Sequence, residues 1–298
     1  MKKTLSIILA LTTFAGLLSG CRVTVHSPVG LSSFYYENAK HYTVGEASIF
    51  DKVDCVEIQW LTGKVTVTAH RENVIRFSEE ANLALTDDQS VHFWLDGTTL
   101  RIQFCGSDEW NLNGMEKNLT VLLPDELLLK ELKINCISAN IEVDSVQAQQ
   151  LNIHTMSGNL EMANCKITKK ANFNTTSGMI TAEMLGTMEE LRVSTISGKA
   201  SVMAQSIDTI DMDSISGNML LSIREAPKKI NVETVSGGII LILPEDIGMT
   251  LGFDTVSGRF FSELSNRPSG KYFVFGDGFC ECSVETTSGH LSIQANMS

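Results

Sequence analysis

Leu191-Arg-Val-Ser-Thr-Ile-Ser-Gly-Lys-Ala-Ser-Val202 is the stretch that decides the fold, because variants of it recur along the chain. Each copy centres on Ser-Gly, with a Thr or Ser two residues before the serine, and successive serines lie 20, 20, 19, 20, 21 and 31 residues apart. The seven pairs are Ser157-Gly158, Ser177-Gly178, Ser197-Gly198, Ser216-Gly217, Ser236-Gly237, Ser257-Gly258 and Ser288-Gly289. A period of about 20 residues is typical of repeat proteins in which each unit packs on the next.

Hydrophobic residues alternate with other residues on both sides of each pair. In the copy quoted above, Leu191 and Val193 precede the pair, and Ala200 and Val202 follow it. A period of two predicts β-strands with one buried face, and the buried phase changes across Ser-Gly. The chain must therefore bend there, and glycine adopts a positive φ without penalty. We interpret the pairs as structural corners, and we expect the preceding Thr and Ser hydroxyls to form ladders from coil to coil.

The sequence predicts an all-β protein, a β-solenoid or parallel β-helix-like stack with coils of about 20 residues marked by Ser-Gly corners. Two strands and a short third segment would make each coil. Degenerate copies at Thr62-Gly63 and Ser138-Ala139 bring the number of coils to nine, as special or edge positions. A β-sandwich or a propeller is the alternative, although a propeller blade needs about 40 residues. Residues 70–130 are less regular, and strands are predicted at 74–77, 91–95, 99–104 and 119–123.

The amino terminus has the features of an export signal. Lys2 and Lys3 precede an apolar stretch over residues 5–18, which is shorter than a membrane span of about 20 residues. The following Leu18-Ser-Gly-Cys21 resembles the lipobox of bacterial lipoproteins, and that resemblance implies lipidation of Cys21. An ordinary signal peptide with an incidental cysteine is the alternative. The predicted organisation is a lipoprotein signal peptide at 1–20, a tether and N-terminal cap at 21–50, and a β-strand-repeat domain at 51–298.

Charge and cysteine content narrow the function classes. The chain has 23 basic and 35 acidic residues, a net charge of −12, which argues against nucleic acid as a partner. With Cys21 set aside for lipidation, six cysteines remain. An even number outside the cytoplasm would permit disulfides, but the spacing fixes no pairing. We favour small buried hydrophobic roles over metal ligation, and we expect no metal or cofactor. These cysteines are Cys55, Cys105, Cys136, Cys165, Cys280 and Cys282.

Two sequence segments outside the repeats add to the evidence for a resemblance to a known family. Tyr42-Thr-Val-Gly-Glu46 leads into Val56-Glu-Ile-Gln-Trp-Leu-Thr-Gly-Lys-Val-Thr-Val67, and Gly276-Asp-Gly278 comes shortly before the last Thr-Thr-Ser-Gly. With the repeats, they make residues 40–298 similar to the bacterial "putative adhesin" β-strand-repeat family (domain of unknown function 4097). The resemblance implies a β-helical fold in an envelope protein, with no established catalytic residues.

The repeat serines have no recurrent base beside them. A nucleophilic serine needs a positioned base, and no histidine recurs with the repeat, so we predict no catalytic role for these serines. Parallel β-helices do host carbohydrate-active enzymes that use carboxylate clusters, so a group of acids is the best catalytic candidate. A solvated acidic face is the favoured interpretation of that group. The acids are Asp208, Asp211, Asp213, Glu233, Asp254 and Glu285.

The residue directly before each repeat serine is aliphatic in most copies. In register, these residues would form an outward apolar stripe, which is typical of a partner or self-association surface. The alternative is that the bend turns them into the core, and the sequence leaves both arrangements open. They are Met156, Thr176, Ile196, Ile215, Val235, Val256 and Thr287.

These features together favour an exported, lipid-anchored cell-envelope protein with a non-catalytic binding, adhesion or structural role. The expected partners are the membrane, through the lipid on Cys21, and an envelope protein, a glycan or a second copy of the chain. A carbohydrate-active β-helix enzyme is one alternative. An envelope-stress signalling accessory is another alternative, although no residue of the sequence supports it.

Overall fold

The computed structural model describes residues 24–25, 32–109, 112 and 114–296, so the predicted lipidation site Cys21 lies outside the described residues. The regular secondary structure of the described chain is β-strand, apart from one turn of 3-10 helix at Ala39–His41. Parallel strands stack along most of its length, which confirms the all-β, solenoid-like prediction.

The amino-terminal strands are short and partly irregular, whereas the central strands are long. The first group is β1 (Thr24–Val25), β2 (Ser32–Ser33), β3 (Thr43–Val44), β4 (Ala47–Ile49), β5 (Cys55–Trp60), β6 (Gly63–His70), β7 (Ile75–Ala81), β8 (His92–Asp96), β9 (Thr99–Gln103) and β10 (Lys117–Pro124). The central group is β11 (Leu128–Cys136), β12 (Asn140–Asp144), β13 (Gln147–Thr155), β14 (Leu160–Thr175), β15 (Ile180–Thr195) and β16 (Ala200–Ser214).

The carboxyl-terminal strands become short again. They are β17 (Met219–Ile223), β18 (Lys229–Thr234), β19 (Gly238–Leu243), β20 (Met249–Thr255), β21 (Phe260–Ser262), β22 (Arg267–Ser269), β23 (Tyr272–Phe275), β24 (Cys280–Thr286) and β25 (His290–Ala295). In the middle of the stack, β14, β15 and β16 each run from one Ser-Gly corner to the next. Register shifts interrupt their pairing, for example between Met162 and Cys165. The expected separate third segment is therefore absent from these described coils, because a bend within one strand replaces it.

The solenoid has two faces that meet at the Ser-Gly corners. We call the strands that precede the corners the front face and those that follow them the back face. In space, the parallel front face runs β9, β5, β11, β13, the second halves of β14, β15 and β16, then β18, β24 and β20. The parallel back face runs β10, β6, β12, the first halves of β14, β15 and β16, then β17, β19, β25 and β21.

The order of coils in space departs from the order in sequence at both ends. Strand β5 lies between β9 and β11, so the Thr62-Gly63 coil is the second coil of the stack and not its edge. Strand β24 likewise lies between β18 and β20, so the last coil in sequence is the penultimate coil in space. Antiparallel strands extend the outermost coils: β8 pairs with β9, β7 with β10, and β23 with β20.

Inward side chains of successive coils stack in register to form one continuous core. On the front face, Val56, Leu132, Leu151, Ala171 and Leu191 are neighbours in that order, and each is fully buried. A fully buried large aliphatic side chain contributes about 1.5–3 kcal/mol relative to an exposed one. One coil cannot enclose its own hydrophobic face, so the core exists only because coils share it.

The amino-terminal end of the core contains a buried ion pair. Lys117 is fully buried, and its Nζ lies 2.6 Å from Oε2 of Glu79. The ammonium group also donates to the carbonyl oxygens of Gln89 and Phe104 and lies 4.4 Å from the centroid of the Phe104 ring. Burial lowers the pKa of Lys117, while the Glu79 carboxylate opposes that shift. The cation closes this end of the core without leaving its hydrogen-bonding groups unpartnered.

The predicted cap region packs on the same end. Tyr36 is buried against Phe34 and Tyr42, with ring centroids 5.8 and 4.6 Å apart, whereas Tyr35 is exposed. Phe34 in turn contacts Phe104 at the end of β9. Tyr36 therefore covers the first coil.

The structure describes all six cysteines named above; Cys105 is fully buried, and the other five carry no disulfide. Cys136, Cys165, Cys280 and Cys282 are buried and Cys55 is partly buried. Burial raises the pKa of the Cys165 thiol to about 11 and that of Cys280 to about 12, so both are protonated near neutral pH. These side chains pack as small hydrophobic groups.

Candidate functional site

The Ser-Gly corners are joined by a ladder of backbone hydrogen bonds. The N–H of each repeat serine donates to the carbonyl oxygen of the residue that precedes the serine on the neighbouring coil. Ser177 donates to Met156 at 3.0 Å, Ser197 to Thr176 at 3.0 Å, and Ser216 to Ile196 at 2.9 Å. The repeat serines thus hold the stack together through their backbone.

The corner glycines are required by close approach between coils. A β-carbon added to Gly178 would lie 1.9 Å from the carbonyl oxygen of Gly158, and one added to Gly198 would lie 2.0 Å from that of Gly178. Contacts below 3.0 Å to backbone cannot be accommodated without moving a strand. The expectation of positive φ holds for Gly237, at 132°, and for Gly63, at 88°, but it is wrong for the other six repeat glycines.

The Thr and Ser before the corners also act differently from expectation. Thr195 is buried, and its Oγ1 accepts a hydrogen bond from the N–H of Gly198 at 2.8 Å in the same coil. The same bond recurs at Thr155, Thr175, Ser214, Thr255 and Thr286. In the remaining copy, the Thr234 hydroxyl donates to the carbonyl oxygen of Ser236, also within its own bend. The predicted coil-to-coil hydroxyl ladder is therefore wrong, because these hydroxyls bond to backbone groups of their own bends.

The aliphatic residues before the repeat serines stay on the surface. Ile196, Ile215 and Val235 are half-buried. At the ends of the row, Met156 and Val256 are 52% and 84% exposed. Of the two arrangements that the sequence left open, the structure shows the outward one, because none of the seven residues is fully buried.

A row of four carboxylates lies on the outer surface of the front face. In neighbouring strands, Asp213 is in register with Glu233, Glu233 with Glu285, and Glu285 with Asp254. Asp211 lies beside the row, accepts a hydrogen bond from Asn231 at 2.8 Å, and lies 3.6 Å from Arg192. The structure thus brings together five of the six predicted acids. Asp208 instead pairs with Lys228 at 2.8 Å on the exposed surface.

The carboxylate row perturbs the ionisation of its first member. Loss of hydration in the row, with repulsion from Glu233 and Asp211, raises the pKa of Asp213 to about 6. Neighbouring parallel strands lie about 4.8 Å apart, so like charges in register repel one another. Arg192 opposes the shift only weakly. Asp213 therefore titrates at higher pH than an ordinary aspartate.

The same row continues towards the amino terminus with neutral side chains. Gln103, Gln59, Asn135, His154 and Asn174 follow one another in register on neighbouring strands. Burial, with a smaller effect of Lys133, lowers the pKa of His154, so its imidazole is neutral near pH 7. The amide end of this row was not predicted, although the polar residue three positions before each corner was the available signal. The front face therefore presents amides at one end and carboxylates at the other.

Within the described residues, no three His, Cys, Asp or Glu side chains converge as a metal site. None of the described helices has the length and hydrophobicity that crossing a bilayer requires.

The corners, the stacked core and the rows of outward side chains define a parallel β-solenoid built from serine-glycine repeats. Residues 53–294 match the model of the Toastrack DUF4097 family, which is more than half of the chain. The chain therefore belongs to this family. No curated protein matches the chain.

One of three similar solved structures superimposes well enough to support the fold. A protein from Parabacteroides distasonis described as a "putative lipid binding protein" is 16% identical, covers 86% of this chain and 97% of its own, and superimposes with a TM-score of 0.51. A "putative adhesin" from Bacteroides fragilis is 11% identical over 85% of this chain and 97% of its own, with a TM-score of 0.45. A second "putative adhesin" from Parabacteroides distasonis is 10% identical over 86% and 97%, with a TM-score of 0.41. At these identities, the likeness concerns the fold alone.

Proposed function

We propose that this protein is exported, anchored to the cell envelope by a lipid on Cys21, and that its solenoid binds an envelope partner without catalysis. The export signal and the Leu18-Ser-Gly-Cys21 sequence support the anchor. A thioether-linked diacylglycerol together with an amide-linked acyl chain would give stable attachment, since each buried methylene contributes about 0.8 kcal/mol. The name of the similar Parabacteroides distasonis protein, which describes binding, agrees with the second half of the proposal.

The observation that carries the binding role is the front face. Its outward side chains repeat in register over successive strands, with spacing fixed by the backbone ladder. Extended surfaces of this kind are what solenoid proteins use to bind long partners. Groups arranged in parallel rows do not converge on a single reacting atom, as catalysis requires.

The anchor is tested by metabolic labelling with radioactive palmitate. The full chain is expected to incorporate label and to sediment with membranes, whereas Cys21→Ser is expected to lose both properties. Equal labelling of the two forms would refute the anchor.

The binding role is tested with purified full chain and isolated cell envelopes. Asn174→Glu introduces a charge into the front-face row, and we expect it to weaken attachment at least fivefold. Thr181→Glu introduces the same charge on the back face and should leave attachment unchanged. Absence of attachment by the unmodified chain, or equal loss in both variants, would contradict a front-face binding role.

A carbohydrate-active enzyme is the second candidate, because Asp213 has a pKa of about 6 beside other carboxylates. A protonated acid near an ionised one is the arrangement that glycosidases use. Release of reducing ends from a polysaccharide panel, abolished by Asp213→Ala or Asp211→Ala, would establish this activity. Absence of release by the unmodified chain would eliminate it.

A further inference from the structure

A groove lies at the amino-terminal end of the front face, outside the carboxylate row. The segment that contains the 3-10 helix forms one side of it, and outward side chains of β5, β9 and β11 form the floor. It encloses about 240 Å³. Its lining includes Tyr42, Trp94, Glu57, Gln59, Arg101 and Gln103.

Aromatic rings form one wall of the groove. Trp94 projects outward from β8, and the His41 ring stacks on it with centroids 5.0 Å apart and planes 19° apart. Tyr42 meets Trp94 edge to face at 5.7 Å and lies 4.6 Å from Tyr36. Because each ring is fixed by another, the wall is formed before any ligand arrives, which lowers the entropic cost of binding.

The charged groups of the floor neutralise one another. Arg101 pairs with Glu57 and lies 3.4 Å from Asp96, and Lys133 lies 3.8 Å from the same Glu57. These two cations and two anions neutralise one another on the floor, and Glu37 on the side of the groove adds one negative charge. A phosphate or carboxylate ligand would need a cation that is not already paired. The floor instead favours a neutral ligand that forms many hydrogen bonds.

One buried acceptor in the groove needs a donor. Gln103 is 3% exposed, and its Nε2 donates to the hydroxyl of Tyr42 at 3.3 Å. Its Oε1 receives no hydrogen bond from any residue in the described part of the chain. A buried acceptor in this state has lost its hydration and gained no hydrogen bond in return. An O–H group of a ligand would satisfy it.

We propose that this groove binds a neutral saccharide segment of one or two residues, as an end or branch of a glycan. A sugar ring offers an apolar C–H face to Trp94 and Tyr42 and hydroxyl donors to Gln103. An aromatic wall with a few placed polar groups is the usual composition of a small-ligand site. This inference deepens the proposed binding role by naming the ligand class.

The test uses the purified full chain and defined oligosaccharides: dimers and tetramers of β-1,4-glucose, α-1,4-glucose, mannose and N-acetylglucosamine, followed by isothermal calorimetry and saturation-transfer NMR. At least one is expected to bind, and Trp94→Ala and Gln103→Leu should each weaken it tenfold or more. Trp94→Phe keeps an aromatic wall and should retain most affinity. Phe261→Ala removes an exposed aromatic ring at the other end of the stack and should have no effect.

Two results would overturn the groove site: no binding by any oligosaccharide, or equal affinities of Trp94→Ala and Phe261→Ala. Circular dichroism melting of each variant shows whether the fold is intact, and Gln103→Leu provides the loss-of-binding test if Trp94→Ala fails to fold. Attachment to isolated envelopes separates the two proposals. If the unmodified chain attaches to envelopes but binds no saccharide, the groove site is refuted while the front-face role stands.

Discussion

Gly198 and Gly178 lie so close on neighbouring coils that a β-carbon on Gly198 would be 2.0 Å from the carbonyl oxygen of Gly178. The same approach recurs from Gly158 to Gly217, so the corners form a column in which only glycine fits. Thr195 adds a hydrogen bond to the N–H of Gly198. The repeated Thr-x-Ser-Gly sequence is thus explained by packing and by hydrogen bonding within each bend.

Gly198→Ala should lower the free energy of unfolding by about 3 kcal/mol, since the added methyl group forces two strands apart. Gly238→Ala is the matched control, because its β-carbon would meet only the side chain of Asn218, with Oδ1 at 3.5 Å. Urea unfolding followed by circular dichroism measures both. Equal losses would show that the corner column does not restrict residue size.

Thr195→Val should cost about 1–3 kcal/mol, because it leaves the buried N–H of Gly198 without its acceptor. Thr195→Ser keeps the oxygen and should recover most of the loss. Thr176→Val makes the same change on the half-buried outer side of the neighbouring corner and should cost little. Thermal unfolding of the three variants provides the measurement, and a Thr195→Val protein as stable as Thr176→Val would refute the hydroxyl's role.

Lys117→Met should destabilise the chain by about 3–5 kcal/mol, because it leaves the Glu79 carboxylate buried without its partner. The double variant Lys117→Met, Glu79→Leu removes both charges and should regain most of that loss. Lys64→Met breaks the exposed pair with Glu142 and should cost no more than about 1 kcal/mol. Chemical unfolding tests this, and a double variant less stable than Lys117→Met would contradict it.

Asp213→Asn should stabilise the protein at pH 7.5. The pKa of Asp213 is raised from 3.8 to about 6 in the folded state, so folding favours the protonated carboxyl group. The free energy of unfolding is therefore highest below pH 3.8, where Asp213 is protonated, and this stability is lost as the pH rises through 6. The advantage of the variant should therefore shrink at pH 4.5. Asp208→Asn, which breaks a pair with Lys228, should not stabilise. Urea unfolding at the two pH values measures these differences. An Asp213→Asn protein that is less stable than the unmodified chain at pH 7.5 would refute the repulsion between Asp213 and the neighbouring carboxylates.

The repeat predicted the fold class because burial with a period of two is a local property. Leu191, Val193, Ala200 and Val202 are all buried, as their spacing predicts. The reason for glycine was not local: what excludes a side chain at Gly198 is a carbonyl group 20 residues away. Spacing alone therefore suggested positive φ and missed the contact between coils.

Local sequence patterns could not predict the groove or the buried cation either. Gln59, Gln103 and Trp94 belong to three strands whose order in space differs from their order in sequence. Lys117 lies in the irregular region, and lysine is rarely buried unless it is paired. The carboxylate row, by contrast, was predicted in large part, since its members keep one phase of the repeat.

The groove forms because the coil of β5 and β6 lies between the coil of β9 and β10 and the coil of β11 and β12. Cysteine cross-linking tests this order of the coils most directly. Thr66 lies in register with Glu142 on one side and with Thr120 on the other. Thr66→Cys with Glu142→Cys should form a disulfide on oxidation, because the α-carbons of neighbouring strands lie within disulfide range. Thr120→Cys with Glu142→Cys should not, since β6 separates them. Peptide mass spectrometry showing the second cross-link and not the first would mean that the coils stack in sequence order and would contradict this account.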